Sequence, residues 1–211
     1  MARRARSKRH KLPVEPVTLQ IQRLSHDGRG IANLSGKVAF VSGALPNETV
    51  TAGYTNSRAQ FDELDVLTVE QPSPDRVTPQ CKVFHVCGGC SLQHFSSPAQ
   101  IEYKRNTLFE ILAHATKHPL PESARLPSVT ADNYHYRRKA RLAVRYVAKK
   151  GGTLVGFREK HGSFITETDE CPVLVEPASA LIQPLRKLID QLDARLQIPQ
   201  IEVAAGETQQ G

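Results

Sequence analysis

Four cysteines, three of them in one short loop, constrain this chain more than any other feature of its sequence. Cys81, Cys87 and Cys90 form the pattern Cys-x5-Cys-Gly-Gly-Cys, and the fourth, Cys171, follows after 80 intervening residues and directly precedes Pro172. Four thiols with none left over match the stoichiometry of a metal site. The fold is therefore expected to return position 171 to the loop.

The spacing of the thiols bears on which metal they would bind. Structural zinc sites usually take two closely spaced ligand pairs, whereas here three ligands share a loop and one is remote. Gly88 and Gly89 allow main-chain N–H groups to approach the sulfurs of a bulky cluster. The pattern favours an iron–sulfur cluster, with zinc as the alternative.

Two disulfides are the other possible use of four cysteines. Disulfide frameworks belong to secreted chains that carry a signal peptide with an apolar stretch. This chain instead begins with a charged run that includes Arg3, Arg4 and Arg6, and no segment approaches the ~18 consecutive apolar residues of a membrane span. We therefore expect a reducing, cytoplasmic location, no membrane partner, and thiols that bind metal.

The net charge indicates an anionic partner. The 28 Lys and Arg residues outnumber the 21 Asp and Glu residues and give a net charge of +7, which favours nucleic acid. Residues 1–14 predict a disordered basic tail. A second basic run alternates with apolar residues, as in a half-buried strand, and its basic side chains are expected to share an exposed face. The basic positions in this run are Arg137, Arg138, Lys139, Arg141 and Arg145.

The hydrophobic pattern predicts an α+β protein with two cores. Residues 15–71 read as five short strands separated by glycine turns, which favours an OB-like barrel. Residues 72–98 form a proline-rich linker and the cysteine loop, and residues 99–211 an incomplete α+β domain. In that domain a helix is expected from about Gln100 to Leu112 and another over Ala178 to Leu196, packed through its leucines. Ile201 to Ala205 reads as a strand with nothing to pair with, so we expect a truncated domain.

Several strings together resemble one enzyme family, the cluster-containing RNA uracil-5 methyltransferases, and within it the branch that acts on 23S ribosomal RNA. The resemblance covers the N-terminal half of such enzymes and nearly all of this chain after the tail. The matching strings are Leu24-Ser25-His26-Asp27-Gly28-Arg29-Gly30-Ile31-Ala32, Ser73-Pro74-Asp75-Arg76-Val77, Cys87-Gly88-Gly89-Cys90 followed by Gln93-His94, and Tyr136-Arg137-Arg138-Lys139-Ala140-Arg141.

The resemblance implies roles for these segments. The barrel would be a TRAM domain that contacts RNA, and Cys81, Cys87, Cys90 and Cys171 would hold a [4Fe–4S] cluster. Arg29, Arg137, Arg138, Lys139 and Arg141 are the candidate RNA contacts, with 23S ribosomal RNA as the partner; no protein partner is evident.

The family's reaction transfers a methyl group from S-adenosylmethionine to C5 of a uracil, after a cysteine thiolate adds to C6. No thiol is spare here, and no glycine-rich cofactor motif occurs. No catalytic or cofactor-binding residue is therefore assigned, and the chain alone is expected to be inactive. The catalytic domain that would bind S-adenosylmethionine is expected to lie C-terminal to this sequence.

Two other classes share parts of the pattern. Radical methylthiotransferases also join a TRAM-like barrel to a cluster, but their C-x3-C-x2-C motif differs from the spacing here, and their barrel does not precede the cluster. A stand-alone RNA-binding protein with a structural metal site is the non-enzymatic alternative.

Overall fold

The computed structural model describes residues 12–206, which divide into two compact units between Arg76 and Val77. The predicted basic tail thus lies outside the described residues except for its last three positions. The division falls inside the proline-rich segment that follows the predicted barrel. Over the described part of the chain, no helix is both long enough and apolar enough to cross a membrane.

The first unit is a single six-stranded sheet. Its strands are β1 (Val17–Gln20), β2 (Arg23–Leu24), β3 (Gly30–Leu34), β4 (Lys37–Ser42), β5 (Thr49–Ser57) and β6 (Phe61–Gln71). They are ordered β1-β5-β6-β4-β3-β2 across the sheet, and every pair is antiparallel except β4 with β6.

The chain forces this sheet to curl. β1 and β2 lie at opposite edges of the sheet, yet only Ile21 and Gln22 separate them in sequence. The Ile21 N–H donates to the Glu48 carbonyl beside β5, and the Gln22 N–H donates to the Ile31 carbonyl on β3. Two such short connections to opposite edges require the edges to approach one another around the buried core. The core side chains are Leu19, Ile21, Ala32, Ala39, Val41, Ala44, Val50, Ala52 and Leu64.

One glycine is required where the edges approach. A Cβ added to Gly30 would lie 2.9 Å from Cγ2 of Ile21 and 3.0 Å from Cβ of Ala44. Those distances are shorter than packed carbon atoms tolerate, so the position admits only glycine without local movement.

A buried carboxylate ties the segment after β6 to the sheet. Glu48 is fully buried; its Oε2 accepts the Leu45 N–H at 2.8 Å, and its Oε1 accepts the Ser73 N–H at 3.1 Å. Arg76 donates Nη2 to Glu48 Oε2 and to the Gly43 carbonyl, each at 2.7 Å. Burial alone would raise the pKa of Glu48, but the bonds from Arg76 and the two backbone N–H groups hold it below its ordinary value.

The second unit is α+β. Its three-stranded antiparallel sheet has the order β8-β7-β9, with β7 at Lys139–Val147, β8 at Gly152–Gly156 and β9 at Gln200–Ala204. The helices are α1 (Ser97–Thr116), α2 (Glu176–Ser179) and α3 (Ile182–Asp190), with short 3-10 turns at Glu122–Ala124, Ala148–Lys150 and Asp193–Leu196. The prediction of an α+β fold is confirmed in this unit.

The single helix expected over Ala178 to Leu196 is wrong. Two helices and a 3-10 turn occupy that stretch, because the Pro184 ring would clash with the Ala180 carbonyl in a continuous helix. Starting α3 at Ile182 places Pro184 in the first turn, where no intrahelical N–H is needed. The buried residues of α3 are Ile182 and Ile189, whereas Leu181, Leu188, Leu192 and Leu196 are exposed.

The expectation that the last strand lacks a partner is also wrong. β9 pairs antiparallel with β7, with Lys139 opposite Ala204 and Arg141 opposite Glu202. Val203 of this strand is buried in the core of the second unit. The pairing joins segments about 60 residues apart, and nothing in the local pattern of either segment specifies it.

We predict that Glu48→Gln destabilises the first unit by about 3 kcal/mol, because it leaves the Arg76 guanidinium without its buried counter-charge. Hydrogen exchange of the β4, β5 and β6 amides at pH 7 measures the loss. Glu15→Gln, at an exposed position, is the matched control and should leave exchange unchanged.

The Glu48–Arg76 ion pair also makes the first unit sensitive to acid. Because the pKa of Glu48 is lower in the folded chain, its stabilisation is present above the ordinary value of 4.5 and is lost as the pH falls through the folded value. The natural chain should therefore lose more amide protection between pH 5 and 3 than Glu48→Gln does. Equal losses in the two proteins would contradict the assignment.

Candidate functional site

The cysteine loop is a series of tight turns anchored by one aromatic ring. The Phe84 N–H donates to the Cys81 carbonyl at 3.1 Å and the Cys87 N–H to the Val83 carbonyl at 2.8 Å. Phe84 is buried and packs against the buried His94 ring at 5.3 Å between centroids. The turns hold Cys81 and Cys87 on one compact loop.

The two glycines of the loop lie against backbone and sulfur. Gly88 donates its N–H to the Arg158 carbonyl at 2.8 Å, and a Cβ there would lie 2.9 Å from that oxygen. Gly89 donates its N–H to Cys87 Sγ at 3.4 Å. The Gly89 N–H therefore reaches a thiol sulfur, and its approach to the sulfurs of a bound cluster stays a prediction.

Cys171 is brought to the loop by the core of the second unit. Its N–H donates to Ser179 Oγ at 2.8 Å, and the buried core cluster that contains it also contacts Cys90. The strand-like segment after it runs beside residues 135–137, where the Arg137 N–H donates to the Val173 carbonyl at 2.8 Å. The fold therefore brings Cys171 into the core against which Cys90 packs, and a metal site formed by all four thiols stays a prediction.

All four thiols are free and act on one another electrostatically. Burial raises the pKa of Cys81, and the neighbouring Cys87 and Cys90 raise it further. Burial likewise raises the pKa of Cys171, with added repulsion from Cys90 and Cys87. The neutral thiol is therefore favoured over the thiolate at Cys81 and Cys171.

The four thiols are suitable metal ligands by type, but their arrangement does not form a metal site. Four thiols are the soft donors that iron–sulfur clusters and zinc prefer, so the residues fit either group. Within residues 12–206, no group of three or more His, Cys, Asp or Glu side chains could hold a metal ion as arranged. His85, next to the cysteines in sequence, is exposed.

Four of the five candidate RNA contacts lie together in the second unit. Lys139, Arg141 and Arg145 share the exposed face of β7, while Ala140, Leu142 and Val144 are buried, which confirms the predicted alternation. Arg137 and Arg138 immediately precede this strand. Arg137 has an aromatic neighbour, since its guanidinium lies 5.9 Å from the Phe157 ring centre.

Arg141 has a carboxylate partner on the neighbouring strand. Its Nε and Nη2 donate to Glu202 Oε1 at 2.9 and 2.6 Å. These bonds hold the pKa of the exposed Glu202 below its ordinary value. The positive charge of Arg141 is therefore partly compensated within the sheet.

Arg29 lies in the first unit and has three partners. Its Nη2 lies 2.8 Å from Asp27 Oδ2, its Nη1 lies 3.0 Å from Glu63 Oε1, and its guanidinium stands 4.6 Å from the Phe40 ring centre. Burial alone would raise the pKa of Asp27, but hydrogen bonds from Arg29 and Ser25 lower it. Arg29 thus stabilises its turn, and its contact with RNA stays a prediction.

A cleft that no sequence pattern predicts lies beside the cysteine loop. The cleft has a volume of about 760 Å³ and is lined by residues from three separate segments, numbered 77–104, 131–136 and 173. Cys90, Gln93, Asn133, Tyr134 and Tyr136 are among the lining residues. No motif joins these segments, so no local pattern could have revealed the cleft.

Comparison with known proteins found close relatives, although no family model matches the chain. A 23S rRNA (uracil(1939)-C(5))-methyltransferase RlmD from Hahella chejuensis is 46% identical over 200 residues, which are 95% of this chain and 44% of the relative. RlmD of Legionella pneumophila is 46% identical over 94% of this chain and 45% of its own length. RlmD of Nitrosococcus oceani is 47% identical over 97% of this chain and 45% of its own length.

One solved structure has a similar fold. It is the crystal structure of a Pyrococcus abyssi tRNA (uracil-54, C5)-methyltransferase in complex with S-adenosyl-L-homocysteine. The match has a TM-score of 0.57 at 24% identity and covers 82% of this chain and 37% of the other.

The chain spans less than half the length of the curated relatives it matches. The identity is nevertheless sustained over almost all of its own residues. By sequence, the chain is similar to part of the proteins named 23S rRNA (uracil(1939)-C(5))-methyltransferase RlmD.

Proposed function

We propose that this chain is the RNA-binding and iron–sulfur part of an S-adenosylmethionine-dependent methyltransferase that acts on C5 of a uridine in 23S ribosomal RNA. The observation that carries the proposal is the 46% identity over 95% of the chain to proteins named for that reaction. The exposed basic residues of β7 support an RNA partner, because phosphate contacts from Lys and Arg dominate such binding.

The first unit is proposed to be an OB-like barrel of the TRAM type. The strand order supports this proposal. β1 and β2 follow one another in sequence yet lie at opposite edges of the sheet, and β4 pairs with β6 in parallel. OB-like barrels commonly bind nucleic acid on one face of the sheet.

Cys81, Cys87, Cys90 and Cys171 are proposed to hold a [4Fe–4S] cluster. Three observations support it: all four thiols are free, they interact with one another, and the Gly89 N–H reaches a thiol sulfur. When bound, the cluster would supply four iron–thiolate bonds and the capacity to exchange electrons. The chain's own part is to orient the sulfurs through the turns of the loop and the Ser179 bond to the Cys171 backbone. Free thiols of this kind persist in a reducing cytoplasm, which is the proposed location.

We predict that anaerobically purified protein contains iron and acid-labile sulfide and absorbs broadly in the visible range. Cys171→Ser should lose most of this absorption, because one ligand is removed although the loop is intact. His85→Ala, which changes an exposed residue of the same loop, should retain it. Stoichiometric zinc without sulfide, or thiols found paired as disulfides, would refute the cluster.

The basic strand should contribute to RNA affinity through charge. Arg138→Ala and Lys139→Ala should each weaken binding to single-stranded ribosomal RNA and reduce the slope of log K against log salt by about 0.7. Lys82→Ala, whose side chain is 88% exposed in the same unit, is the matched control. An unchanged slope in both variants would contradict an RNA role for the basic run that enters β7.

Removing the negative charge of Glu202 tests the same surface, because it should raise RNA affinity instead of lowering it. Glu202→Gln removes the carboxylate that compensates Arg141 and lies on the exposed face of the sheet. The variant should bind RNA several-fold more tightly at low salt, and the gain should disappear in Glu202→Gln combined with Arg141→Ala. Titration by fluorescence anisotropy at two salt concentrations measures both effects.

We predict that the 211-residue chain alone transfers no methyl group. Its four thiols are the proposed cluster ligands, so no thiolate is available to add to C6 of the uracil. Unmodified 23S rRNA and labelled S-adenosylmethionine form the assay, with the Hahella chejuensis relative as positive control. Turnover by the chain would show that one thiol is catalytic and would remove it from the ligand set.

A further inference from the structure

The cleft beside the cysteine loop has the size and lining of a ligand site. Its volume of about 760 Å³ lies within the range of about 300–1,000 Å³ that is usual for small-molecule pockets. Cys90 and Gly89 form part of its wall. Of the lining residues, Lys104 is the one cation and Asp132 the one acid, so the remaining polar groups are neutral amides and hydroxyls.

Two tyrosines are fixed at the rim by a strained residue between them. His135 has a φ of 53°, in the left-handed region that residues other than glycine rarely adopt. Its N–H donates to the Pro172 carbonyl at 2.8 Å, and its Nδ1 lies 3.2 Å from the Leu174 carbonyl. These bonds hold the backbone while Tyr134 packs against the core and Tyr136 stays 54% exposed.

Amide side chains also line the cleft, and one of them fixes the cysteine loop. The Gln100 Nε2 donates to the Leu92 and Phe95 carbonyls at 3.0 and 2.7 Å, which fixes the loop to α1. Gln93 Oε1 accepts the Cys81 N–H at 3.3 Å, and Gln93 lines the cleft beside the cysteine loop. Asn133 is exposed at the rim.

We propose that this cleft binds one unpaired nucleobase of the RNA, with the base stacked on Tyr136 and its edge hydrogen-bonded by Gln93 and Asn133. The inference rests on the proposed RNA-binding function and adds a site for a base to it. An exposed ring beside neutral amides suits a flat, uncharged heterocycle with donors and acceptors on its edge. A single cation opposed by a single acid does not suit a phosphate group, so charge does not explain the cleft.

The test compares two RNA-like strands of equal length and charge. One is a single-stranded oligoribonucleotide of mixed sequence, and the other is the same sugar–phosphate strand without bases. The intact 211-residue chain should bind the base-containing strand at least about 5-fold more tightly, since stacking one base contributes ~1–3 kcal/mol. Tyr136→Ala should abolish this preference without weakening binding to the abasic strand. Tyr136→Phe keeps the ring and should keep the preference.

The chain itself supplies a second readout. It contains five tyrosines and no tryptophan, so its intrinsic fluorescence reports tyrosine alone. Base-containing RNA should quench this fluorescence in the natural chain more than in Tyr136→Ala, with unchanged melting temperatures confirming that the variants fold.

The outcomes separate this inference from the proposed function. Equal affinity for the two strands, or a preference that survives in Tyr136→Ala, overturns the cleft assignment and leaves RNA binding by phosphate contacts intact. Failure to bind either strand at low salt overturns RNA binding by this chain and the cleft assignment with it.

Discussion

The return of Cys171 to the cysteine loop is the constraint on which the proposed site depends. Closing a loop over 80 residues costs on the order of 4 kcal/mol of chain entropy. Backbone bonds and core packing offset that cost here: residues 135 and 137 donate to the segment after Cys171, and Cys87 forms a β-bridge with Glu159. The packing of Cys171 and Cys90 is therefore determined by the protein core, unlike in zinc fingers, where metal binding itself drives folding. A metal group would then stabilise an arrangement whose backbone is already determined.

The features that the sequence predicts well are those set by local chemistry. The alternation along β7 follows from the period of a strand, and the buried Leu142 and exposed Arg141 fall where it places them. The cysteine loop and its glycines are a local motif whose turns follow from a few neighbouring residues. In the leucine-rich stretch before Leu196, hydrophobic spacing alone predicts one helix, but the missing N–H of Pro184 determines where α3 can begin.

The features that the sequence does not predict arise from contacts between distant segments. β9 completes the sheet only because Val203 is buried against the same core as Leu142, and the register of that pairing then sets Glu202 opposite Arg141. One carboxylate neighbour of Arg29 has the same origin, since Glu63 comes from a strand that is distant in sequence. A basic residue identified from sequence thus carries a charge whose availability depends on neighbours that only the fold supplies.

This partial neutralisation bears on how such a chain could recognise RNA. Lys and Arg contacts to phosphate provide affinity and orientation but do not distinguish one sequence from another. At Arg29 and Arg141, carboxylates already accept some of the guanidinium N–H groups. These two residues would therefore add less phosphate affinity than unpaired arginines. Selection must then come from groups that contact the bases themselves. In the second unit, the proposed stacking residue Tyr136 lines the cleft. The N–H groups of its neighbours, residues 135 and 137, donate to carbonyls of the segment after Cys171. The proposed base recognition and the position of Cys171 would therefore depend on one shared backbone segment.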